Sequence, residues 1–321
     1  MAEIPQTQIV TLTMNPAVDV STSVARMVPF TKMRCAQAHR DPGGGGINVA
    51  RVLKRLGVEA TAVYPAGGAT GQLLANLIER EGVRSVVIPA TNDTREDITI
   101  FDETSREQFR LVFPGARLND TEWRECLGSI TRITPQPAYI IASGSVPPGV
   151  PRDFFGRVAQ ASKAHSKIIV DTSGPFLRAA LEAGVYLIKP NLREFQELAE
   201  LAAIDEASLV DAGRRLIDRY RIEVVALSMG SDGALLVTRD MALRANGLPI
   251  DPISVSGAGD SFLGAMVWSL VKGNSLEIAL RYGVAGGSAA LLNPGTELCR
   301  PDDVHRLASQ VIVTPIARTS R

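Results

Sequence analysis

The chain has 321 residues, 34 basic and 34 acidic side chains, and 45% hydrophobic residues. The zero net charge argues against a protein built to hold nucleic acid, which carries a basic excess. Hydrophobic content at this level, with no charge imbalance, excludes disorder as the main state.

Short apolar runs alternate with helical spacing along most of the length. Residues 9–13 (Ile-Val-Thr-Leu-Thr) predict a first strand. Residues 17–40 then alternate polar and apolar side chains with no helix among them. Val49, Val52, Leu53 and Leu56 share one helical face over residues 47–56, and Gly57 stops that helix. A strand at 61–64 and a helix at 72–81, closed by Gly82, come next. Residues 86–113 lack helical spacing, and 98–101 with 108–113 read as a hairpin. Strands at 139–141, 167–170, 185–188 and 224–227 each lie beside a helical stretch. This alternation predicts an α/β fold, a mainly parallel central sheet with helices on both faces. The two exceptional segments, approximately 17–40 and 86–113, predict a small β lid outside that sheet. No Pro-, Ser- or Gly-rich linker divides residues 1–321, so a single domain is expected.

No apolar run approaches the ~20 residues that a membrane helix needs. Residues 1–5 lack a basic region followed by an apolar stretch, so no secretory signal is expected. Cys35, Cys126 and Cys299 are far apart and odd in number, and His39, His165 and His305 show no ligand spacing. A cytoplasmic setting without disulfides or a His/Cys metal site follows.

In open α/β sheets, ligands bind beyond the carboxyl ends of the strands. The turns there carry the chemistry. Ser256-Gly257-Ala258-Gly259-Asp260-Ser261 runs into an apolar helix at 261–272. Gly257, Ala258 and Gly259 have almost no side chains, so their amides, at the positive end of a helix dipole, can cradle an anion. Asp260 in the same turn either takes a proton from an attacking hydroxyl or only caps the helix. Neither a dinucleotide fingerprint nor a P-loop is present.

Pro42 is followed by Gly43, Gly44, Gly45 and Gly46, with Asn48 in the first turn of the next helix. Four glycines cost backbone entropy, which favours close approach to a ligand over a flexible turn. Lys189-Pro-Asn191-Leu-Arg-Glu194 follows the strand at 185–188. Asn191 and Glu194 share one face and suit a hydrated Mg²⁺, or simply a solvated helix start. Ser228, Gly230 and Gly233 form a glycine turn that either contacts phosphate or just reverses the chain. Asp19, past the first strand, either accepts sugar hydroxyls or stabilises its turn.

In this order, these segments resemble the PfkB family of ribokinase-like sugar kinases, from Asn15 to about Thr296. The glycine stretch at 43–48 and the Gly-Ala-Gly-Asp turn at 257–260 carry the resemblance. Asn15-Pro-Ala-Val-Asp19 and Ser143-Gly-Ser-Val-Pro-Pro-Gly149 are similar to its phosphosugar branch. Four consecutive glycines at 43–46 look most like the bacterial PfkB-type 6-phosphofructokinases within it.

The resemblance implies ATP- and Mg²⁺-dependent phosphorylation of fructose 6-phosphate, with 1-phosphofructokinase or tagatose-6-phosphate kinase as alternatives. A non-catalytic sugar-phosphate-binding regulator is a further alternative, disfavoured by the intact Asp260. Asp260 would be the base, and the amides of Gly257, Ala258, Gly259 and Asp260 the anion hole. Asp19, Gly44, Gly45, Asn48 and Ser143 would hold the sugar, and Lys32, Arg34 and Arg95 its 6-phosphate, which suits the planar Arg fork. Lys189, Asn191, Ser228, Gly230, Gly233 and Ser288 would face ATP, with Asn191 and Glu194 organising Mg²⁺ through water. Ser254, Ser256, Ala290, Asn293 and Gly295 match a loop that binds a monovalent cation such as K⁺. One departure is Val255-Ser256, where relatives carry Thr-Val or Thr-Thr; a cation here would depend on backbone carbonyls. A homodimer through the lid is expected, because Ile98, Ile100, Phe109 and Leu111 would otherwise expose apolar surface.

Overall fold

Strand β1 (Ile9–Leu12) lies deep inside a ten-stranded sheet, and everything that follows in the chain is laid down around it. The computed structural model describes residues 9–162, 164–202 and 204–317; residues 1–5, for which no secretory signal is expected, lie outside the described residues. After β1 come β2 (Ala17–Val24), β3 (His39–Gly43), α1 (Gly45–Arg55), β4 (Thr61–Ala66), α2 (Gly68–Arg80) and β5 (Arg84–Pro89). The hairpin β6 (Arg95–Asp102) and β7 (Gln108–Leu111) leads to α3 (Asp120–Arg132), β8 (Tyr139–Ser143), α4 (Phe154–Ser162), β9 (Lys167–Asp171) and α5 (Gly174–Glu182). The second half holds β10 (Leu187–Ile188), α6 (Leu192–Ala199), α7 (Glu206–Tyr220), β11 (Val224–Ser228), β12 (Ala234–Val237) and β13 (Ala242–Ala245). Helices α8 (Ala258–Val271), α9 (Leu276–Ala290) and α10 (Pro301–Ala308) precede the final β14 (Val313–Pro315).

The main sheet has the order β14-β13-β12-β11-β10-β9-β8-β1-β4-β5. Its seven strands from β11 to β5 are parallel, and β12, β13 and β14 complete it as an antiparallel meander. Alternate strand residues feed two separate cores, as the period of two requires. Ile9, Tyr139 and Ile141 face one core with α1, α8 and α9, whereas Val10, Leu12, Ile140 and Ala142 face the other with α3, α4 and α5. Strands buried on both faces explain the continuous apolar runs.

A four-stranded sheet of order β3-β2-β6-β7 stands outside the main one. It joins β2 to β3 and β6 to β7 as antiparallel pairs and β2 to β6 as a parallel pair. Ile98 pairs with Leu111 and Ile100 with Phe109 in its hairpin.

Two expectations need correction. The segment 86–113 does not lie wholly in the small sheet. Residues 84–89 pair with β4 as the edge of the main sheet, and the lid begins at Arg95. Arg84, Ser85 and Val87 are exposed at that edge, and the segment has no helical spacing, so in sequence it reads like the lid strands that follow. The strand expected at 185–188 is only Leu187–Ile188, because Tyr186 and Val185 lie ahead of the short parallel ladder it shares with β9 and β11.

Candidate active site

The four-glycine turn is a packing device before it is anything else. A Cβ on Gly43 would meet the Asp19 carboxyl at 2.5 Å, and one on Gly46 would meet the Leu12 carbonyl at 2.7 Å. Gly45 lies against the Ser143 hydroxyl and the Gly144 amide. Gly44, at φ 110°, is the N-cap of α1 in a conformation that L side chains rarely adopt. Thr13 on the turn after β1 accepts from the Ile47 amide at 2.8 Å and seats the helix. These contacts bring Asp19, Ser143 and Asn48 to one place from β2, β8 and α1.

The second glycine turn is built differently. Gly257, at φ 73°, caps α8 without any side-chain hydrogen bond. Ser261 donates to the Gly257 carbonyl at 2.8 Å, so the amides of Ala258, Gly259 and Asp260 have no acceptor within the helix. A Cβ on Gly259 would meet only the Lys189 ammonium, at 3.5 Å. An open, electropositive cradle of backbone N–H groups results, with a buried lysine at its side.

Asp260 is half-buried at this helix start. Asn48 donates from Nδ2 to its Oδ2 at 2.8 Å. Burial, and then the negative Asp171, push the Asp260 carboxyl up to about 6, against the pull of Asn48, Lys189 and Arg110. A carboxylate poised there is ionised at neutral pH and basic enough to take a proton. Asp171, at the end of β9, binds Lys189 at 3.2 Å and accepts from Ser143 at 3.3 Å. Burial works against the Lys189 ammonium, but Asp171, with Asp260 and Glu194, outweighs it and holds the group charged.

In the lid, Asp19 sits in register between Asp41 and Asp97. Burial, then Asp97, push its carboxyl up to about 7, although Arg110, Arg51 and Arg95 oppose the shift. Near neutral pH it can donate as well as accept a hydrogen bond, which suits a sugar hydroxyl.

Beside the cradle a cavity of about 410 Å³ opens between β11, α8 and α9. Ser228, Gly230, Gly233, Ala258, Gly259 and Ser288 line its polar end. Its walls are apolar: Leu248, Ile250, Pro252, Val255, Val284 and Leu291. Apolar walls with a polar end at the start of α8 suit a ligand that has both a planar ring and an anionic part.

Asn191 and Glu194 form a capping box on α6. Asn191 Oδ1 accepts from the Glu194 amide and Glu194 Oε2 accepts from the Asn191 amide, each at 2.9 Å. The backbone of Asn191 also bridges to Ser228, which lines the cavity. Among the described residues no group of three or more His, Cys, Asp or Glu side chains is arranged to hold a metal. The donor set fits Mg²⁺ held mainly by phosphate and water, with Glu194 Oε1 as an outer acceptor. In the region expected to hold a monovalent cation, Ser254, Ser256, Ala290 and Asn293 are buried. Ser254 donates to the Gly295 carbonyl at 2.9 Å, and Asn293 donates to the Ala289 and Leu298 carbonyls at 3.1 and 3.0 Å. With those side chains acting as donors, a cation there would be held by carbonyl oxygens.

Of the three expected phosphate contacts, two lie on a loop and the third lies on the lid strand beside Asp19. Lys32 and Arg34 lie on the exposed loop between β2 and β3. Arg95 donates to Asp97 at 2.9 Å, to the Phe113 carbonyl at 3.0 Å and to the Asn15 carbonyl at 3.3 Å, so it ties the lid together. Conversely, the sequence alone did not single out Asp171, Arg51, Arg110 or the apolar cavity walls. Asp171 at the carboxyl end of a strand carried a usable signal, while the walls come from a loop and two helices with no shared motif.

The model of the pfkB family carbohydrate kinases matches residues 10–303. The chain is 44% identical over 300 residues to the ATP-dependent 6-phosphofructokinase isozyme 2 of Mycobacterium tuberculosis, covering 93% of this chain and 88% of the relative. It is 39% identical over 302 residues to the protein of the same name from Escherichia coli K12, covering 94% and 97%. A 1-phosphofructokinase of Borreliella burgdorferi is 31% identical, covering 96% and 99%. Crystal structures of the Escherichia coli phosphofructokinase-2 superpose with a TM-score of 0.90 for the potassium complex and 0.89 for the fructose-6-phosphate complex. These structures share 38% and 37% identity with the chain, and each comparison covers 95% of it and 99% of the solved chain.

Proposed function

The chain belongs to the pfkB family of carbohydrate kinases, and from that premise we propose that it moves the γ-phosphoryl group of ATP to the 1-hydroxyl of fructose 6-phosphate, giving fructose 1,6-bisphosphate and ADP. The observation that carries this reading is the Asp260 carboxylate, held by Asn48 at the mouth of an uncapped helix start beside Lys189. Asp260 takes the proton from the sugar 1-hydroxyl as that oxygen attacks phosphorus. The bond to the bridging oxygen of ADP breaks in line. The amides of Gly257, Ala258, Gly259 and Asp260 meet the equatorial oxygens, where positioning and charge stabilisation dominate such transfers.

Asp19, Asn48 and Ser143, with the backbone of Gly44 and Gly45, orient the sugar. Lys32, Arg34 and Arg95 supply positive charge for its 6-phosphate on the lid side. Lys189, Ser228, Gly230, Gly233 and Ser288 receive ATP, whose base lies between Leu248, Ile250 and Val284. Asn191 and Glu194 would organise Mg²⁺ through water, and the ion would supply positive charge to the phosphates. A monovalent cation near Ser254, Ser256, Ala290, Asn293 and Gly295 would stiffen the loop behind the cradle.

Residues 1–321 act as one kinase domain under a β lid, and two copies pair through that lid. Phe109, Leu111, Val112 and Phe113 leave 38–58% of their surface exposed on its hairpin edge, an apolar strip that pairing would cover. Among the described residues no helix is long and apolar enough to cross a membrane, and the expected setting is the cytoplasm.

An ADP-release assay with fructose 6-phosphate, fructose 1-phosphate and tagatose 6-phosphate at equal concentration tests the substrate. The highest kcat/KM is expected for fructose 6-phosphate; a preference for fructose 1-phosphate would replace this reading with that of a 1-phosphofructokinase. For pairing, Leu111→Asp is expected to give monomers in sedimentation, and an unchanged dimer would exclude the lid as the contact.

A further inference from the structure

We infer that Arg51 is a positioning residue for the base: it fixes which end of the Asn48 carboxamide faces Asp260. This rests on the reading of Asp260 as the base. The two ends of a carboxamide are nearly the same size, but one donates and the other accepts. With Nδ2 forward, Asn48 stabilises the ionised Asp260; with Oδ1 forward, it would repel it. Asn48 sits one turn ahead of Arg51 on α1, and Arg51 Nη1 donates to Asn48 Oδ1 at 3.2 Å. A guanidinium has no acceptor, so only the oxygen end can face it, and the amine end is left pointing at Asp260 at 2.8 Å.

Arg51 can impose this because it is itself immobilised. Its side chain is 1% exposed. It donates to Glu81 Oε1 from Nη2 at 2.7 Å and from Nε at 3.2 Å. Nη1 also reaches the Pro42 carbonyl at 2.9 Å and the Thr296 carbonyl at 3.4 Å, and Nη2 reaches Asp41 at 3.5 Å. The end of α2, the lid strand β3, the first turn of α1 and the loop after α9 therefore converge on one planar fork. Besides Asn48 on α1, the charged groups facing Asp260 are Asp171 from β9, Lys189 after β10 and Arg110 from β7.

A purely structural Arg51 would tie these elements together and leave Asp260 alone. The two cases separate in Arg51→Lys, which keeps the charge but cannot hold Glu81 and Asn48 at once. Glu81 keeps Arg55, at 2.9 and 3.2 Å, and Asp41 keeps Thr296, at 2.9 Å, so neither acid is stranded.

The test is a carboxyl ¹³C NMR titration of the ligand-free full chain, with the Asp260 resonance assigned by its loss in Asp260→Asn. In Arg51→Lys the Asp260 midpoint is expected to rise by about one pH unit, as loss of a hydrogen bond to the charged form requires. Asn48→Leu should give a similar rise, and the double variant no more than Asn48→Leu alone. An unmoved Asp260 in a folded Arg51→Lys protein, or shifts that add in the double variant, would overturn the inference. Should Arg51→Lys not fold, Glu81→Ala releases the fork from the partly exposed end of α2. A smaller rise is then expected, and no rise would be equally decisive. Absence of fructose 6-phosphate turnover would remove the functional reading and leave this titration intact as a separate result.

Discussion

The molecule starts two helices from glycine-rich turns, and they use glycine for opposite reasons. Ahead of α1, added Cβ atoms at Gly43 and Gly46 would collide with Asp19 and with the backbone of β1. At the start of α8, a Cβ at Gly257 would meet the Leu298 side chain at 2.5 Å, but one at Gly259 meets only the tip of Lys189 at ordinary contact distance. At Gly43 and Gly46 the space is filled by the protein itself; at Gly259 it is left clear for a ligand. A glycine run therefore says that something comes close to the backbone, and the neighbours decide whether that is protein or substrate.

The contrast can be broken most severely at the base. Asp260→Asn is expected to lower kcat by about 10²–10⁴-fold, the range for loss of a general base, while fructose 6-phosphate still binds by calorimetry. Turnover near that of the parent would remove Asp260 from the role. Next, Gly259→Ala and Gly46→Ala should fail in different ways. Gly259→Ala should keep its Tm, since alanine favours a helix, but lose about 10²-fold in kcat as the methyl intrudes on the anion site. Gly46→Ala should lose about 1–3 kcal/mol of stability through overpacking against β1, read from urea denaturation. If both variants lost stability alike, the two turns would not differ as described.

The pH dependence sharpens the comparison further. Asp260 must be ionised to accept a proton, so kcat/KM should fall as pH drops through about 6. A profile flat down to pH 4.5 would contradict this. The smallest expected effect concerns Asp19, whose folded-state carboxyl is raised from 3.8 to about 7. A raised carboxylate binds its proton more tightly in the folded state, so it destabilises the fold above about 7, and the penalty fades as pH falls toward 3.8. Asp19→Asn should accordingly raise Tm at pH 8 and give a shrinking gain at pH 6 and pH 5; a gain that grew with acid would reverse the sign.

Sequence alone determined the parts whose signal is local. Apolar runs such as residues 9–12 and 139–143 fixed strands buried on both faces, helical spacing fixed α1, and the turns at 43–48 and 257–260 pointed to a phosphoryl-transfer site. Only the tertiary structure decided what those turns face. Residues 84–89 form a short edge strand with three apolar residues in a row, and nothing within the segment says which sheet it joins. Arg95 has the charge of a phosphate ligand, and its carbonyl partners Phe113 and Asn15 come from two other places in the chain. Asp171, Lys189 and Asn48 meet Asp260 from three separate places in the chain, up to 212 positions away, and the cavity walls meet from a loop and two helices. Burial and charge act through distance in space, so the basicity of Asp260 exists only once those elements have packed.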